Sequence, residues 1–353
     1  MSTTLTRRDL LAGLAGATAS GLAPRALAQP TALEKAARAE GRIASVGMPD
    51  DWANWRATWA DLQRLYGLAH VDTDMSSAEE IAKIEAERAN ASIDIGDVGF
   101  EFGAIAKARG ITRAYKPTTW SQIPDWAKDP DGHWALAYTG TIAFAVNKRL
   151  LKDVPRSWKA LFAAQPRVLI GAVGRAAQAN ATVLAAAHAL GGDETRLQPA
   201  LQAFARLAKA RRLISTDPSP ALMERAEAEV FLMWDFNALS YRDKLPNAAD
   251  YELLIPSDGS ITSGYTTLLN SYSKRPNAGN LAREYIFSDA GQLNLARGNA
   301  RPIRVDHMAL PEDVKKKLLP AAQYAAARPL KPQVWTEEVK KLPRAWQREV
   351  LGA

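Results

Sequence analysis

Cysteine is absent from this chain, which removes disulfide cross-links, thiolate metal sites and cysteine nucleophiles together. Histidine is scarce, and His70, His133, His188 and His307 never fall at the i, i+4 spacing of a zinc-binding helix. His188 lies in an alanine-rich helical stretch and reads as a packed or surface histidine rather than a base. No G-x-S-x-G elbow and no G-x-x-x-x-G-K-[ST] loop occurs, so two common frameworks for hydrolytic chemistry are missing. Long apolar runs are missing as well: no stretch reaches the roughly 20 apolar residues that cross a bilayer. Basic residues gather in "AKARRL", "DVKKKLL" and "EEVKKLPRAWQREV", where helical spacing puts them on solvated faces. No basic run interleaves with aromatics as a nucleic-acid groove requires, so no DNA or RNA partner is expected. Heptads and internal repeats, the signs of a scaffold protein, are also lacking.

The first 30 residues carry an ordered pattern. Arg7 and Arg8 precede an apolar stretch diluted by small residues, Leu10 to Ala19, and Ala26-Leu27-Ala28 offers a small-x-small cleavage site before Gln29. The order Thr6-Arg7-Arg8-Asp9-Leu10-Leu11 resembles a twin-arginine export signal, which is an address and not an anchor. The alternative is a frayed cytosolic terminus that happens to hold two arginines. Export with cleavage near Ala28 predicts a periplasmic product. Arg7, Arg8 and Arg25 against Asp9 account for two of the seven formal charges, leaving the mature chain a modest +5. Without disulfides it must cohere by burying apolar surface, and at this length two lobes are a better expectation than one core.

From Arg42 onward short apolar runs alternate with amphipathic helices, the pattern of α/β layers with largely parallel strands. "RIASVGM", "AHVDTDM" and "IDIGDVG" read as strands. "DDWANWRATWADLQRLYG" reads as a helix with Trp52, Trp55, Trp59, Leu62 and Leu65 on one side, and "SSAEEIAKIEAERAN" as a helix opened by a capping box. A long β-prone segment, "HWALAYTGTIAFAVNKRLL", separates this unit from a second built of "RVLIGAV", two helices and "EVFLMWDF". The extended "YELLIPSDGSITSGYTTLLNSYSKRPN" and a helical C-terminal third follow. The expected organisation is a discontinuous first lobe, residues 29–136 and 258–353, with a second lobe, 137–257, inserted into it. Crossovers are expected near Ala135 to Thr141 and near Leu254 to Ser260.

In this order, the signal, "IDIGDVG", "WALAYTGTIAFAVNKRLL", "VPRSWKALF" and "YIFSDAGQLNLARGNARPIR" resemble the periplasmic solute-binding proteins of ABC importers. The group meant is that of ferric-iron, polyamine, thiamine, sugar-phosphate and aminoethylphosphonate binders. The resemblance implies the type II periplasmic-binding-protein fold, two α/β sandwich lobes joined by hinge crossovers. It also implies a small solute trapped unaltered in the cleft and a membrane permease as partner; a monomer is expected, with no cofactor and no metal ligand assigned. A periplasmic α/β enzyme is the rival class, distinguished by whether the bound molecule is returned unchanged.

In open parallel sheets ligands sit beyond the carboxyl ends of strands, and site candidates follow from that rule. After the first strand stand Asp50, Asp51 and Trp52, with helix capping as the aspartates' alternative role and the apolar stripe as the tryptophan's. After the second come Asp74, Ser76 and Ser77, caps that also present free N–H groups to an anion, and after the third Asp97 and Phe100. Thr139 and Thr141, beside Tyr138, lie in the crossover, where an edge-strand role is the alternative. Arg175 in "GAVGRAAQAN" resembles the place where anion-binding members of the family hold their ligand, although the serine- and threonine-rich loop often found there is missing. "FLMWDFNAL" sets Trp234, Asp235 and Asn237 at a strand end, an aromatic face beside a carboxylate that suits an amine. Tyr265 follows the second crossover. Iron binders of this family often use adjacent tyrosines, and Tyr241, Tyr265 and Tyr272 stand apart, which counts against bare ferric iron. Five aspartates (50, 51, 74, 97, 235) against Arg175 predict a cationic or zwitterionic amine as ligand. The alternative is an organophosphorus or phosphorylated compound, or a ferric complex.

Overall fold

A computed structural model describes residues 31–352. The signal expected over residues 1–28 lies outside them. The first strands are β1 (Arg42–Val46), β2 (Ala69–Thr73) and β3 (Ile95–Gly99). They pair in parallel, Ile43 beside His70 and Ser45 beside Ile95. Helices α1 (Ala32–Glu40), α2 (Trp55–Tyr66), α3 (Ser77–Glu87) and α4 (Phe100–Ala108) pack around them. β2 is the edge of the sheet and alternates in burial, while every residue of β3 is buried, as strands on an edge and in the interior must.

The tryptophan stripe divides. Trp55, Trp59 and Leu62 are buried on α2, but the helix begins only after Asn54, whose left-handed backbone (φ 59°) turns the preceding residues away. Asn tolerates that conformation better than most residues, and its side-chain amide donates to the Asn294 carbonyl at 3.0 Å. Trp52 is therefore not part of the helical face, and neither Asp50 nor Asp51 occupies its cap.

β4 (Trp134–Asn147) is fourteen residues long and buried throughout, far longer than an ordinary strand of about five or six. It serves two partners in succession. Its first half pairs antiparallel with β9 (Ser260–Leu269), from Trp134 opposite Leu268 to Thr141 opposite Thr262. From Ile142 it pairs instead with β7 (Val230–Trp234) and β8 (Tyr251–Leu254). Beyond β7 lie the short strands β5 (Val168–Leu169) and β6 (Leu213–Ile214), parallel to each other. The strand expected over "RVLIGAV" is thus confined to two residues, because Gly171 (φ 95°) breaks the extended backbone. The path β2-β1-β3-β9-β4-β7-β5-β6 is one curled sheet. β10 (Arg301–Pro302) is added to β4, and β11 (Ala327–Pro329) to β9.

Helices α5 (Trp158–Ala164), α6 (Ala177–Ala189), α7 (Gln198–Lys209), α8 (Pro220–Glu224) and α9 (Asp235–Arg242) surround the β7 side. α10 (Pro276–Ile286), α11 (Asp289–Arg297) and α12 (Glu312–Lys315) follow β9, and α13 (Pro332–Glu338) and α14 (Leu342–Trp346) follow β11. The chain ends on α7, where Trp346 meets Phe204 edge to face at 5.6 Å. Among the described residues no helix is long and apolar enough to cross a membrane.

Candidate ligand-binding cleft

Where β4 changes partners, the carboxyl ends of β1 and β3 face the start of α6 and the end of β7 across a cleft of about 440 Å³. One wall holds Gly47, Trp52, Asp74 to Ala78, Glu80, Asp97 and Phe102. The other holds Arg175 to Gln178, Asp217, Met233, Asn237 and Tyr241, and Tyr265 of β9 lies between them. Residues far apart in sequence meet here because both sets of strands deliver their loops to the same gap.

An aromatic framework fixes the first wall. The Trp52 indole N–H donates to the Tyr138 hydroxyl at 2.6 Å, and Tyr138 donates in turn to Asp97 Oδ2 at 2.7 Å. Trp52 also stands edge-on to Tyr265 and to Phe236, both at 5.3 Å. Burial pushes the Asp97 carboxyl up to about 8, against the lowering effect of the Tyr138 hydrogen bond. Glu80 is held well above the carboxylate range by burial and then by Asp97, so neither acid is expected to carry a full charge at neutral pH without a partner. Burial likewise raises Tyr138 and Tyr265.

Both walls aim helix starts at the gap. In α3 the Ser76 N–H donates to Glu79 Oε2 at 2.9 Å, which closes the expected capping box, and Ser77 Oγ accepts the Gly99 N–H at 2.9 Å. In α6 the cap position is Ala176, which supplies no side-chain acceptor. Gln178 braces that wall by donating to the carbonyls of Leu232 (2.7 Å) and Ile170 (3.2 Å).

Of the residues singled out in the sequence, Trp52, Asp74, Ser76, Asp97, Arg175, Asn237 and Tyr265 line the cleft. Asp50 and Asp51 face solvent beside Arg56, at 3.6 and 3.3 Å. Thr139, Thr141, Trp234 and Asp235 are buried at the seam where β4 changes partners. There Asp235 accepts the Thr141 N–H at 2.9 Å and the Tyr324 hydroxyl at 2.6 Å, and Thr141 Oγ1 meets Thr262 Oγ1 at 2.8 Å. Burial raises the Asp235 carboxyl to about 6 despite these hydrogen bonds. Glu80, Asp217 and Tyr241 line the cleft without having been singled out as contacts. Glu80 was within reach of sequence reasoning: it stands four residues before Ile84, on the buried face of α3. Among the described residues no group of histidine and carboxylate side chains could hold a metal ion.

The chain resembles known proteins in sequence family and in fold. No curated protein matches it. The structure of AfuA from Actinobacillus pleuropneumoniae, with fructose-6-phosphate bound, superposes with a TM-score of 0.69 at 18% identity, covering 88% of this chain and 98% of that one. A GABA receptor structure gives 0.66 at 16%, covering 87% and 96%. Iron-bound HitA from Pseudomonas aeruginosa gives 0.67 at 16%, covering 88% and 99%. These likenesses bear on fold, which is the two-lobed type II periplasmic-binding-protein architecture. Residues 92–327 match the family described as bacterial extracellular solute-binding protein, and the chain belongs to that family of binders, which is not one of enzymes.

Proposed function

We propose that the chain is the substrate-binding component of an ABC importer, exported to the periplasm, which encloses a small amine-bearing solute and hands it unaltered to a membrane permease. The observation that carries this reading is a cleft with walls from both arms of the sheet, which a hinged closure can shut. The twin-arginine signal, its cleavage near Ala28, the lobe boundaries at 29–136 with 258–353 and at 137–257, and a monomeric state belong to the same proposal. Replacing Arg7 and Arg8 by lysine tests the export route: the protein is expected to stay in the cytoplasm.

Within the cleft the charge is more balanced than five aspartates would give. Asp50 and Asp51 point away, Asp97 and Asp235 are buried with raised pKa values, and exposed Asp74 on one wall stands against exposed Arg175 and Asp217 on the other. That mixture favours the zwitterionic form of the proposed ligand over a polycation. Calorimetric titration with putrescine, spermidine, aminoethylphosphonate, a sugar phosphate and ferric citrate tests the class. An amine is expected to bind and to be recovered unchanged, and binding of the dianionic sugar phosphate alone would reject it. A phosphorylated ligand is the second reading, supported by the uncapped start of α6 beside Arg175.

A further inference from the structure

We infer that Glu80 and Asp97 together form the seat of the ligand's protonated amine. The inference rests on the solute-binding reading above and assigns it a chemistry. Glu80 is 1% exposed and Asp97 2%, both line the cleft, and Glu80 Oε2 and Asp97 Oδ1 have no hydrogen-bond partner. No lysine, arginine or histidine among the described residues pairs with either carboxyl, so an internal ion pair is not their purpose. Space has been kept for the pair: a Cβ added to Gly47 would lie 2.2 Å from Glu80 Oε1, and one added to Gly96 3.0 Å from Glu80 Oε2. Leaving buried polar atoms unpaired is costly, and a guest with N–H donors relieves the cost.

An independent sign of a guest stands on the opposite wall. Asn237 is 7% exposed and lines the cleft, yet its side-chain amide bonds to nothing among the described residues. Trp52 and Tyr265, in edge-to-face contact with each other and lining the same cleft as the acids, offer the aromatic surface that favours an ammonium over a neutral donor.

Seating the amine moves a proton. With the cleft empty, Asp97 keeps its proton to about pH 8. The titratable groups that act on it are acids or phenols, Glu80 on α3, Asp72 on β2, Tyr138 on β4 and Tyr265 on β9, and the Trp55 indole on α2 stands beside them. Asp74 joins them on the near wall, with Arg175, Asp217 and Tyr241 across the gap. An incoming R–NH₃⁺ keeps its own protons and donates to the carboxylate, while the carboxyl proton passes to bulk water. A ligand without an amine would release none.

Calorimetry with putrescine, GABA and aminoethylphosphonate at pH 7, each in phosphate and in Tris buffer, tests the seat. At least one is expected to bind with release approaching one proton, and Asp97→Asn and Glu80→Gln, which keep shape, are each expected to weaken it roughly tenfold or more. The proton count needs only the unaltered protein, so a misfolding variant does not rescue the idea. An amine that binds without proton release and with equal strength to both variants overturns the seat and leaves solute binding intact. If none of the three binds, mass spectrometry of the molecule released from the cleft on denaturation decides. An occupant without an amine nitrogen overturns the seat alone, and one with an amine upholds it. An empty cleft that takes up no probe overturns the solute-binding reading and the seat with it.

Discussion

On the wall formed by β1 to β3, the helix that enters the cleft, α3, begins with its capping box closed, while α6 across from it begins at Ala176 with no side chain on its free N–H groups. The first wall also keeps two of its acids, Glu80 and Asp97, buried, whereas Arg175 on the second is exposed. Satisfied on its surface and unsatisfied beneath it, the first wall contrasts with one left open at its helix start. On the proposed reading, that difference suits the two walls to opposite poles of one guest, buried carboxyls for a donor and free N–H groups with a guanidinium for an acceptor.

Substitutions on the two walls can break or sharpen that contrast. The largest effect is expected for Gly47→Ala, where the backbone is left-handed (φ 69°) and the new methyl would lie 2.2 Å from Glu80. Thermal denaturation should show a loss of about 1–3 kcal/mol, and binding should weaken as Glu80 is displaced. Next comes the pH dependence of stability. Asp97, raised to about 8 from an unfolded value near 3.8, lets the folded state bind more protons than the unfolded state between those limits. Its contribution is therefore full at low pH and lost as pH climbs through about 8. The melting temperature should fall from pH 6 to pH 9, and Asp97→Asn should flatten that fall. His70 acts in the opposite sense lower down: burial depresses it from 6.5 to about 4, so between those values the unfolded state binds the extra proton and stability rises with pH.

Smaller effects test the caps. Ser76→Ala should cost about 1 kcal/mol by leaving the start of α3 unsatisfied. Ala176→Ser should do the reverse on α6, a gain of up to about 1 kcal/mol, since Ala176 already has the extended backbone of a cap (φ −93°, ψ 125°). If the α6 start is the anionic pole's seat, the same change should weaken binding of a zwitterion while raising the melting temperature. The smallest effect on stability belongs to Arg175→Ala, within about 0.5 kcal/mol at an exposed position. An equal loss of affinity for cationic and zwitterionic probes would erase the distinction between the walls.

Several features could be seen without coordinates. The capping box at Ser76 and Glu79 is a local signal, written in residues three apart, and α3 begins there. The strand-end rule led to Asp74, directly after β2, and to Asn237, in the first turn of the helix after β7; Asp97, expected after the third strand, lies within β3 itself and still lines the cleft. Trp234 and Asp235 show where that rule runs out. They too end a strand, but β7 lies against β4 at the point of partner change, so Trp234 sits opposite Ile142 and Asp235 turns to Thr141 and Tyr324. Tyr324 arrives from 89 residues further along the chain, and no local pattern announces it. Asp50 and Asp51 were displaced by a backbone choice at Ala53 and Asn54, two consecutive residues with positive φ angles.

By itself the sequence determined the alternation of strand and helix, the division of labour along the chain and the lack of thiol chemistry, because these depend on residue type and on spacing within a few turns. Only the tertiary structure decided which carboxyls face the cleft and which of them are charged. Whether an aspartate is an exposed ion, a buried acid or a seam hydrogen-bond acceptor depends on the solvent and partners around it, and those are supplied by segments that the chain brings together only once it has folded.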